Sequence, residues 1–239
     1  IEGLKTTSDK VKFERLFKGN WEYDDNPNSL CSHDAIMAIF GNRIAKKTGT
    51  HYLTGDIARF GADYARIAVW DGWNIIDIRS FPVSKTTDIQ AYIIRCQKKY
   101  RIPNYRCIVD EDGVGGGVVD SCEIQGFVNN SRALKDENYQ NLQAQCGYKL
   151  AEHINASDVG IDEDLVSQAD KEQIARELEQ LQTWKPDDDG SLKLKPKEAI
   201  KEDLGCSPDW RDMMLMRSWF DYNEYEIPDD IERRLGLTG

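Results

Sequence analysis

The stretch of residues 52–71, YLTGDIARFGADYARIAVWD, places one carboxylate, Asp56, inside an apolar run that then turns sharply into a second apolar run. Among neighbours such as Leu53, Ile57 and Ile67, a sheet-facing aspartate loses part of its hydration and needs a cation or hydrogen-bond donors to stay charged. Structural aspartates usually occur at turns or helix caps instead. The stretch therefore leaves two interpretations open: a metal or phosphate site, or a turn aspartate next to a strand.

The composition is that of a globular protein. The chain has 239 residues, of which 40% are hydrophobic, and this is ample for a core. No stretch approaches the roughly 18 consecutive apolar residues of a membrane helix, and residues 1–10 lack the apolar centre of a signal peptide. We therefore expect no membrane partner. The first residue, Ile1, is not Met, which predicts a fragment or a processed product.

Cysteine and histidine spacing argues against disulfides and zinc. The six cysteines include no C-x-x-C pair and fall mostly in apolar segments, which predicts reduced core thiols in a cytosolic protein. His33, His51 and His153 are far apart, and no H-E-x-x-H motif is present.

The net charge of −11 argues, taken alone, against a polyanionic partner. Residues 151–190, however, hold 12 acidic and 3 basic residues, so the remaining chain is close to neutral. Local basic surface, or divalent cations bound at an acidic site, would still allow a polyanion to bind.

Residues 1–50 are predicted to form a connecting arm, with a short helical pattern at 10–17. In the domain that follows, Asp71-Gly72 is a hairpin signal between strands 65–70 and 73–81, so three antiparallel strands follow one another. Thr87 with Gln90 predicts the capping box of a helix that ends before Pro103.

A second apolar run, residues 105–109, ends on three acids: Asp110, Glu111 and Asp112. The glycine-rich segment 113–117 then leads into a predicted helix. It matches neither G-x-x-x-x-G-K-[ST] nor G-x-G-x-x-G, so close packing of that helix against the sheet is favoured over a phosphate cradle.

The second half alternates short strands and helices. The patterns predict a strand at 125–128, a helix at 138–154, a helix capped by Ser167 and Asp170, and two short strands at 181–185 and 191–195. The D-D-D-G run between those two strands is not a calcium loop, because Leu192 stands where such a loop needs glycine. Residues 223–239 are predicted to be an acidic surface tail.

The segment 207–216 gives a third conspicuous acid. Ser207 as N-cap, Pro208 at the first helical position and Asp209 after it predict a helix start. That role explains Asp209. Asp212 lies one turn further into a largely apolar helix, where capping no longer explains an acid.

An acid in a strand, an acid at the end of a later strand and an acid on a late helix can converge at one edge of a mixed sheet. Three carboxylates can hold two divalent ions about 3.5–4 Å apart, an arrangement suited to phosphodiester cleavage. Mg²⁺ prefers such hard oxygen ligands to histidine or cysteine.

Three motifs in this order, GDIARFGADYA, IVDEDGVGGGVVD and GCSPDWRDMMLM, resemble the C-terminal nuclease domain of tailed-bacteriophage large terminase subunits, the DNA-packaging motor. FKGNWEYDDNPNSL resembles the segment leading into that domain, and YQNLQAQCGYKLAEHI resembles its central helix. The resemblance covers most of residues 12–222. Each motif is modest alone, but the ordered set is fairly specific.

The resemblance implies an α/β fold of the RNase H-like type: a mixed central sheet with three antiparallel strands first and helices on both faces, spanning residues 51–222. It also implies endonucleolytic cutting of concatemeric double-stranded viral DNA with two Mg²⁺ or Mn²⁺ ions. The implied partners are that DNA, the terminase ATPase domain, the portal protein and the small terminase subunit. The implied location is the host bacterial cytoplasm, transiently at the procapsid portal.

Carried over position by position, the family's acidic triad falls on Asp56, Asp110 and Asp212. Asp110 is preferred over its acidic neighbours because it directly ends the apolar run, and Asp209 or Asp112 is a candidate accessory ligand. Arg59, just past the first ligand, is a candidate DNA contact, with a solvated turn arginine as the equal alternative.

The chain departs from the family in having no Walker A loop, so we expect cleavage without ATP hydrolysis or translocation. Isolated DNA affinity is expected to be weak and salt-sensitive. Three other functions stay open. These are an actin-like or sugar-kinase ATP-binding fold, a non-catalytic packaging interaction module, and another RNase H-like nuclease of the resolvase or transposase type.

Overall fold

The computed structural model describes residues 26–57, 64–82, 85–112, 115–184 and 190–223. The sheet consists of β1 (His51–Asp56), β2 (Ala65–Asp71), β3 (Asn74–Phe81), β4 (Cys107–Asp110), β5 (Gln125–Phe127) and β6 (Gly160–Ile161). These six strands lie in the order β5-β4-β1-β2-β3-β6. The pairs β1–β2 and β2–β3 are antiparallel, while β4 runs parallel to β1, β5 to β4, and β6 to β3. The predicted antiparallel start of a mixed sheet is confirmed.

Eight α-helices lie in the described parts of the chain. They are α1 (His33–Ala38), α2 (Thr86–Tyr100), α3 (Gly115–Cys122), α4 (Leu142–Asn155), α5 (Gln168–Leu178), α6 (Lys197–Leu204), α7 (Asp209–Leu215) and α8 (Trp219–Tyr222). Short 3₁₀ turns lie at Asn104–Arg106, Leu134–Asp136, Glu163–Leu165 and Met216–Ser218.

The sheet separates two hydrophobic cores because side chains alternate between its faces. Leu53, Ile67 and Val109 face the core formed with α2 and α3. Ala68 and Ile108, which neighbour them along the strands, face the core formed with α1, α4, α5 and α7. Helices therefore cover both faces, as predicted.

The predicted hairpin exists, but its turn lies one residue later than predicted. β2 extends through Asp71 and β3 begins at Asn74, so the loop is Gly72-Trp73, with Gly72 at φ 61°. Asp71 stays in the strand because its Oδ1 accepts hydrogen bonds from the backbone N–H groups of Thr48 and Gly49 at 2.8 and 2.7 Å. This carboxylate anchors the preceding loop to the sheet.

Two of the three predicted N-caps are wrong. The helix after β3 begins at Thr86 with Lys85 as N-cap and no side-chain cap, so Thr87 and Gln90 form no capping box. Ser207 is not the cap of α7, because Pro208 occupies that position in a non-helical conformation. The capping box of Ser167 and Asp170 at the start of α5 is confirmed.

The segment before α4 is not helical. α4 begins at Leu142 because Asn141 caps it, its Oδ1 accepting from the backbone N–H of Ala144 at 2.8 Å. Tyr139 instead forms an isolated bridge with Leu192. The two strands predicted at 181–185 and 191–195 are reduced to isolated bridges such as Thr183 with Leu194, and residues 185–189 lie outside the described ranges.

The glycine-rich turn after β4 packs closely, as favoured from the sequence. A Cβ on Gly115 would lie 1.5 Å from the backbone oxygen of Asp110, so only glycine allows α3 to start against the end of β4. The strand predicted at 125–128 is confirmed as Gln125–Phe127.

Residues 26–50 pack against the domain. α1 contributes the fully buried Ile36 to the core shared with α4 and α5. The helical pattern at 10–17 and most of the predicted tail, from residue 224 onward, lie outside the described residues. All six cysteines are free, and every one except Cys206 is buried. No helix in the described ranges is long and apolar enough to cross a membrane.

Candidate metal centre

Strand register brings the first two predicted acids together. Gly55 of β1 pairs with Val109 of the parallel β4, so Asp56 and Asp110 come next on adjacent strands. Because side chains alternate along a strand, both carboxylates share the face of Thr54, whose Oγ1 accepts a hydrogen bond from Trp70 Nε1 at 2.9 Å. The two acids thus end neighbouring strands on one face.

α7 brings the third acid to the same place. This helix contacts β1 and β2 on that face, and its residues from Asp209 to Leu215 are all buried. Asp212 is 3% exposed and Asp56 is 6% exposed. The sheet edge and α7 therefore enclose the pair and exclude most water.

Burial is the main cause that raises the pKa of Asp56 well above its usual value, and the negative charges of Asp212, Asp209 and Asp110 raise it further, while Lys197 acts against them. Among the described residues, no side chain or backbone group donates a hydrogen bond to the carboxylate of Asp56. A desolvated carboxylate without donors is destabilised as an anion, so Asp56 is a site that a cation would stabilise.

Asp212 has the opposite environment. Its Oδ2 accepts a hydrogen bond from Lys197 Nζ at 2.7 Å, and its Oδ1 accepts one from Arg211 Nε at 2.9 Å. Burial would raise the pKa of Asp212, but the charges and hydrogen bonds of Arg211 and Lys197 outweigh it and lower the pKa. Asp212 is therefore held as an oriented anion.

Asp110 is intermediate between these two. Burial raises its pKa to about 6, while the hydrogen bond from the backbone N–H of Asp112 acts against that rise. Asp110 Oδ1 accepts from this N–H at 3.2 Å and from Asn129 Nδ2 at 3.1 Å. Of its acidic neighbours, Glu111 is exposed and lies against Gly126 of β5. Asp112 is exposed and accepts from the side chain of Asn129 at 3.0 Å.

The other candidates have different positions. Asp209 is buried, and its Oδ2 accepts a hydrogen bond from the backbone N–H of Tyr64 at 3.0 Å, which ties the start of α7 to the segment before β2. Arg59 lies outside the described residues. Whether Asp209, Asp112 or Arg59 acts in the site stays a prediction.

The donor chemistry fits a hard divalent cation. Three aspartates face one region, they supply only oxygen ligands, and the buried Asp56 has no donor from the described residues. In the conformation described, no set of three or more His, Cys, Asp and Glu side chains of the described residues is close enough to hold an ion jointly. Lys197 and Arg211 supply the positive charge beside Asp212 instead.

The structure resembles solved nuclease domains of phage large terminase subunits. The domain of gp2 from bacterial virus Sf6 matches with a TM-score of 0.67 at 19% identity, over 80% of this chain and 98% of that one. The nuclease of thermophilic phage G20c matches with a TM-score of 0.55 at 14% identity, over 82% and 99%. The domain of Thermus phage P74-26 gives 0.53 at 15% identity, over 82% and 96%. The fold is that of terminase nuclease domains.

No protein-family model and no curated protein matches the sequence. The RNase H-like fold expected from the resemblance is nevertheless confirmed, since the terminase nuclease fold covers 80% or more of the chain in each of these comparisons.

The sequence did not single out two positively charged side chains beside Asp212, those of Lys197 and Arg211. Lys197, the first residue of α6, stands in the polar segment KPKEAIKED, where it is indistinguishable from a solvated lysine. Arg211 was more accessible to sequence reasoning, because it is a second charged residue inside the apolar stretch that holds Asp212. A buried acid implies a buried counter-charge, and the adjacent arginine was the available sign of it.

Proposed function

We propose that this chain is a divalent-metal-dependent DNA endonuclease domain that cuts concatemeric double-stranded viral DNA during packaging. The observation that carries the proposal is the convergence of Asp56, Asp110 and Asp212, from two strands and a late helix, on one sheet face in a terminase nuclease fold. Carboxylates that share one partly buried face lose hydration and repel one another, and a cation bound between them would offset that cost.

Asp56, Asp110 and Asp212 would hold two Mg²⁺ or Mn²⁺ ions, with Asp209 or Asp112 as an accessory ligand. The Sf6 domain has been solved with manganese and the G20c nuclease with bound magnesium, which supports this choice of metals. When bound, such ions supply Lewis acidity, which eases loss of a proton from the attacking water and neutralises charge on the departing oxygen.

The chain's own residues set the geometry of this chemistry. Arg211 fixes one oxygen of Asp212, so that carboxylate keeps one orientation. Lys197 Nζ, on the other oxygen, places a positive charge where a scissile phosphate would meet the acids. The enclosure of Asp56 by α7 keeps bulk water away and strengthens each of these electrostatic interactions.

The same proposal places the domain in the packaging machinery. It would act on viral DNA together with the terminase ATPase domain, the portal protein and the small terminase subunit, in the host cytoplasm and transiently at the procapsid portal. Arg59 is proposed as a contact to the DNA backbone.

The direct test is plasmid cleavage by the chain with Mn²⁺, Mg²⁺ or EDTA. We expect nicking and linearisation only with metal, and a loss of more than about 100-fold in rate for Asp56→Asn and for Asp212→Asn. Asp88→Asn, which changes an exposed aspartate on α2, serves as the matched control and should cut normally. Metal-dependent cutting that survives both site substitutions would refute the carboxylate assignment.

The form of the DNA separates the remaining nuclease alternatives. A terminase nuclease should cut linear duplex at least as well as a four-way junction of the same length. A strong preference for the junction would favour the resolvase type instead, and metal-dependent ATP binding without cleavage would favour an actin-like protein.

A further inference from the structure

A cavity of about 400 Å³ opens directly beside Asp110 and Lys197. Its lining includes four residues with amide side chains, Asn130, Gln140, Asn141 and Gln143, together with Leu194 and Pro196, and we call these six residues and the space they enclose the amide groove. The volume lies within the roughly 300–1,000 Å³ typical of small-ligand sites. The groove adjoins the proposed metal centre, but the proposed cleavage chemistry uses none of these six side chains.

The amides of the groove keep both donors and acceptors available. Asn141 uses its oxygen on the N–H of Ala144 at 2.8 Å and one amide hydrogen on Asn130 Oδ1 at 3.2 Å. The side chains of Gln140 and Gln143 make no hydrogen bond to any residue in the described ranges. The groove can therefore satisfy a ligand that presents donors and acceptors along the same edge.

The charges around the groove disfavour a phosphate. Asp110, Asp112 and Glu198 all line it. Of its two lysines, Lys197 is held by Asp212 at 2.7 Å, and Lys195 Nζ donates to Gln180 at 2.8 Å. A phosphodiester offers acceptors only and carries a negative charge, so away from Lys197 it would meet an acidic rim whose other lysine, Lys195, is already bonded to Gln180 and Asp203.

The exposed Pro196, with a small exposed part of the core residue Leu194, adds an apolar side to the groove. A flat ring with a polar edge matches such a wall: the apolar surfaces cover its face, and asparagine and glutamine pair with its edge, as they do with adenine. A protein surface can cover the face of a base only when that base has left the stack of the duplex.

We propose that the amide groove receives one unpaired nucleobase of the DNA strand next to the cut position. The inference rests on the proposed nuclease function, because it takes the strand at Asp110 as the one being cut. It goes further in assigning to Gln140 and Gln143 the reading of a base, which would make cutting favour positions where the duplex opens easily.

The test measures binding, in EDTA, of the whole chain to three short fluorescent duplexes: blunt-ended, with a one-nucleotide 3′ overhang, and with the same overhang lacking its base. We expect the base-bearing overhang to bind about 2- to 10-fold more tightly than the other two, as one or two net hydrogen bonds allow. Gln140→Met and Gln143→Met should each reduce this preference, while Gln168→Met, an exposed glutamine on α5, should leave it unchanged. A 2-aminopurine in the overhang should change its fluorescence on binding to the parent chain.

Equal affinity for the base-bearing and baseless overhangs would overturn the proposal and assign the groove to the sugar–phosphate backbone. Loss of the preference in the Gln168→Met control would do so as well. Binding in EDTA needs no cleavage, so the two proposals can fail separately. A base preference without metal-dependent cutting would support base binding by the groove and refute the nuclease. Metal-dependent cutting without a base preference would support the nuclease and refute base binding by the groove.

Discussion

At the scale of single residues, the proposed metal centre combines carboxylates whose environments shift their pKa values in opposite directions. Asp212 is surrounded by Lys197 and Arg211 and stays ionised, whereas Asp56 is buried without donors from the described chain and has a raised pKa. Lys197 acts on both, and its own pKa is raised because Asp212 and Asp56 outweigh the effect of its burial. One ammonium therefore compensates much of the negative charge of the two acids.

Replacing the Lys197 ammonium should reveal how much the buried carboxylates destabilise the folded protein when they lack a counter-charge. We expect Lys197→Met, without divalent ions, to lower the free energy of unfolding by about 1–3 kcal/mol, because Asp212 keeps only Arg211 as partner. Mg²⁺ or Mn²⁺ should recover a larger part of the stability in the variant than in the parent chain. Chemical denaturation with and without metal measures this. Lys98→Met, on the exposed side of α2, is the control, and equal destabilisation of both variants would contradict the idea.

The sequence pointed to the acids but not to their partners. Asp56, Asp110 and Asp212 each interrupt or end an apolar run, so the conflict between charge and burial is visible in the sequence itself. Lys197 is 15 positions before Asp212, and only the folded structure shows that the two side chains meet. Long-range contacts of this kind leave no local pattern.

At the scale of elements, α7 is held by a side chain from another helix. Glu177, near the end of α5, accepts hydrogen bonds on one oxygen from the backbone N–H groups of Trp210 and Arg211 at 2.7 and 3.1 Å. Glu177 thus caps the backbone N–H groups at the start of α7, the role predicted for Ser207. Glu177 is 2% exposed, and burial raises its pKa to about 7.

This carboxyl should make stability depend on pH. Since its folded pKa is raised from 4.5 to about 7, the folded state favours the protonated form. The protonated carboxyl of Glu177 therefore contributes fully to the free energy of unfolding below about pH 4.5, and this contribution to stability is lost as pH rises through 7. Glu177→Gln keeps an oxygen for both N–H groups, and Gln173 can turn its amide to match. Relative to this variant, the parent should lose about 1–3 kcal/mol between pH 4.5 and 8, measured by urea unfolding. A difference independent of pH would contradict it.

Element types followed from the sequence more reliably than element ends. Apolar runs and spacing, together with turn and cap signals, predicted β1 to β5 and α2, α4, α5 and α7, because a buried face imposes a period of 2 on a strand and of 3.6 on a helix. The predicted element ends were wrong at three residues. Asp71 was predicted in the turn but stays in β2, where it bonds another loop, and the N-cap positions predicted for Thr87 and Ser207 are occupied by neighbouring residues. The partners of Asp71 are more than 20 residues away along the chain, whereas Lys85 and Pro208 are close neighbours of the residues that they replace.

At the scale of the whole molecule, one sheet carries two cores. Ile93 of α2 belongs to the core on one face and Met214 of α7 to the core on the other, and both are fully buried. Because β1 and β2 contribute residues to both cores, each core needs the same two strands in place.

We therefore expect a single cooperative transition. Ile93→Ala and Met214→Ala should each cost about 2–5 kcal/mol, and the double variant should cost close to their sum. Tryptophan fluorescence, to which the fully buried core residues Trp70 and Trp210 contribute among six tryptophans, should give the same midpoint as circular dichroism of the whole chain. Two separate midpoints would show that the faces unfold independently.

The parts of the site enter the chain far apart: Asp56 comes early, Asp110 follows about a quarter of the chain later, and Lys197 and Asp212 come near its end. During synthesis, the first strands leave the ribosome long before α7 exists, and Asp56 lacks the helix that covers it. A chain that has not yet been synthesised as far as α7 lacks Asp212, and it cannot assemble the proposed site. The topology therefore delays assembly of the proposed metal centre until α7 has been synthesised, so copies of the protein that lack α7 would carry the first strands without a complete site.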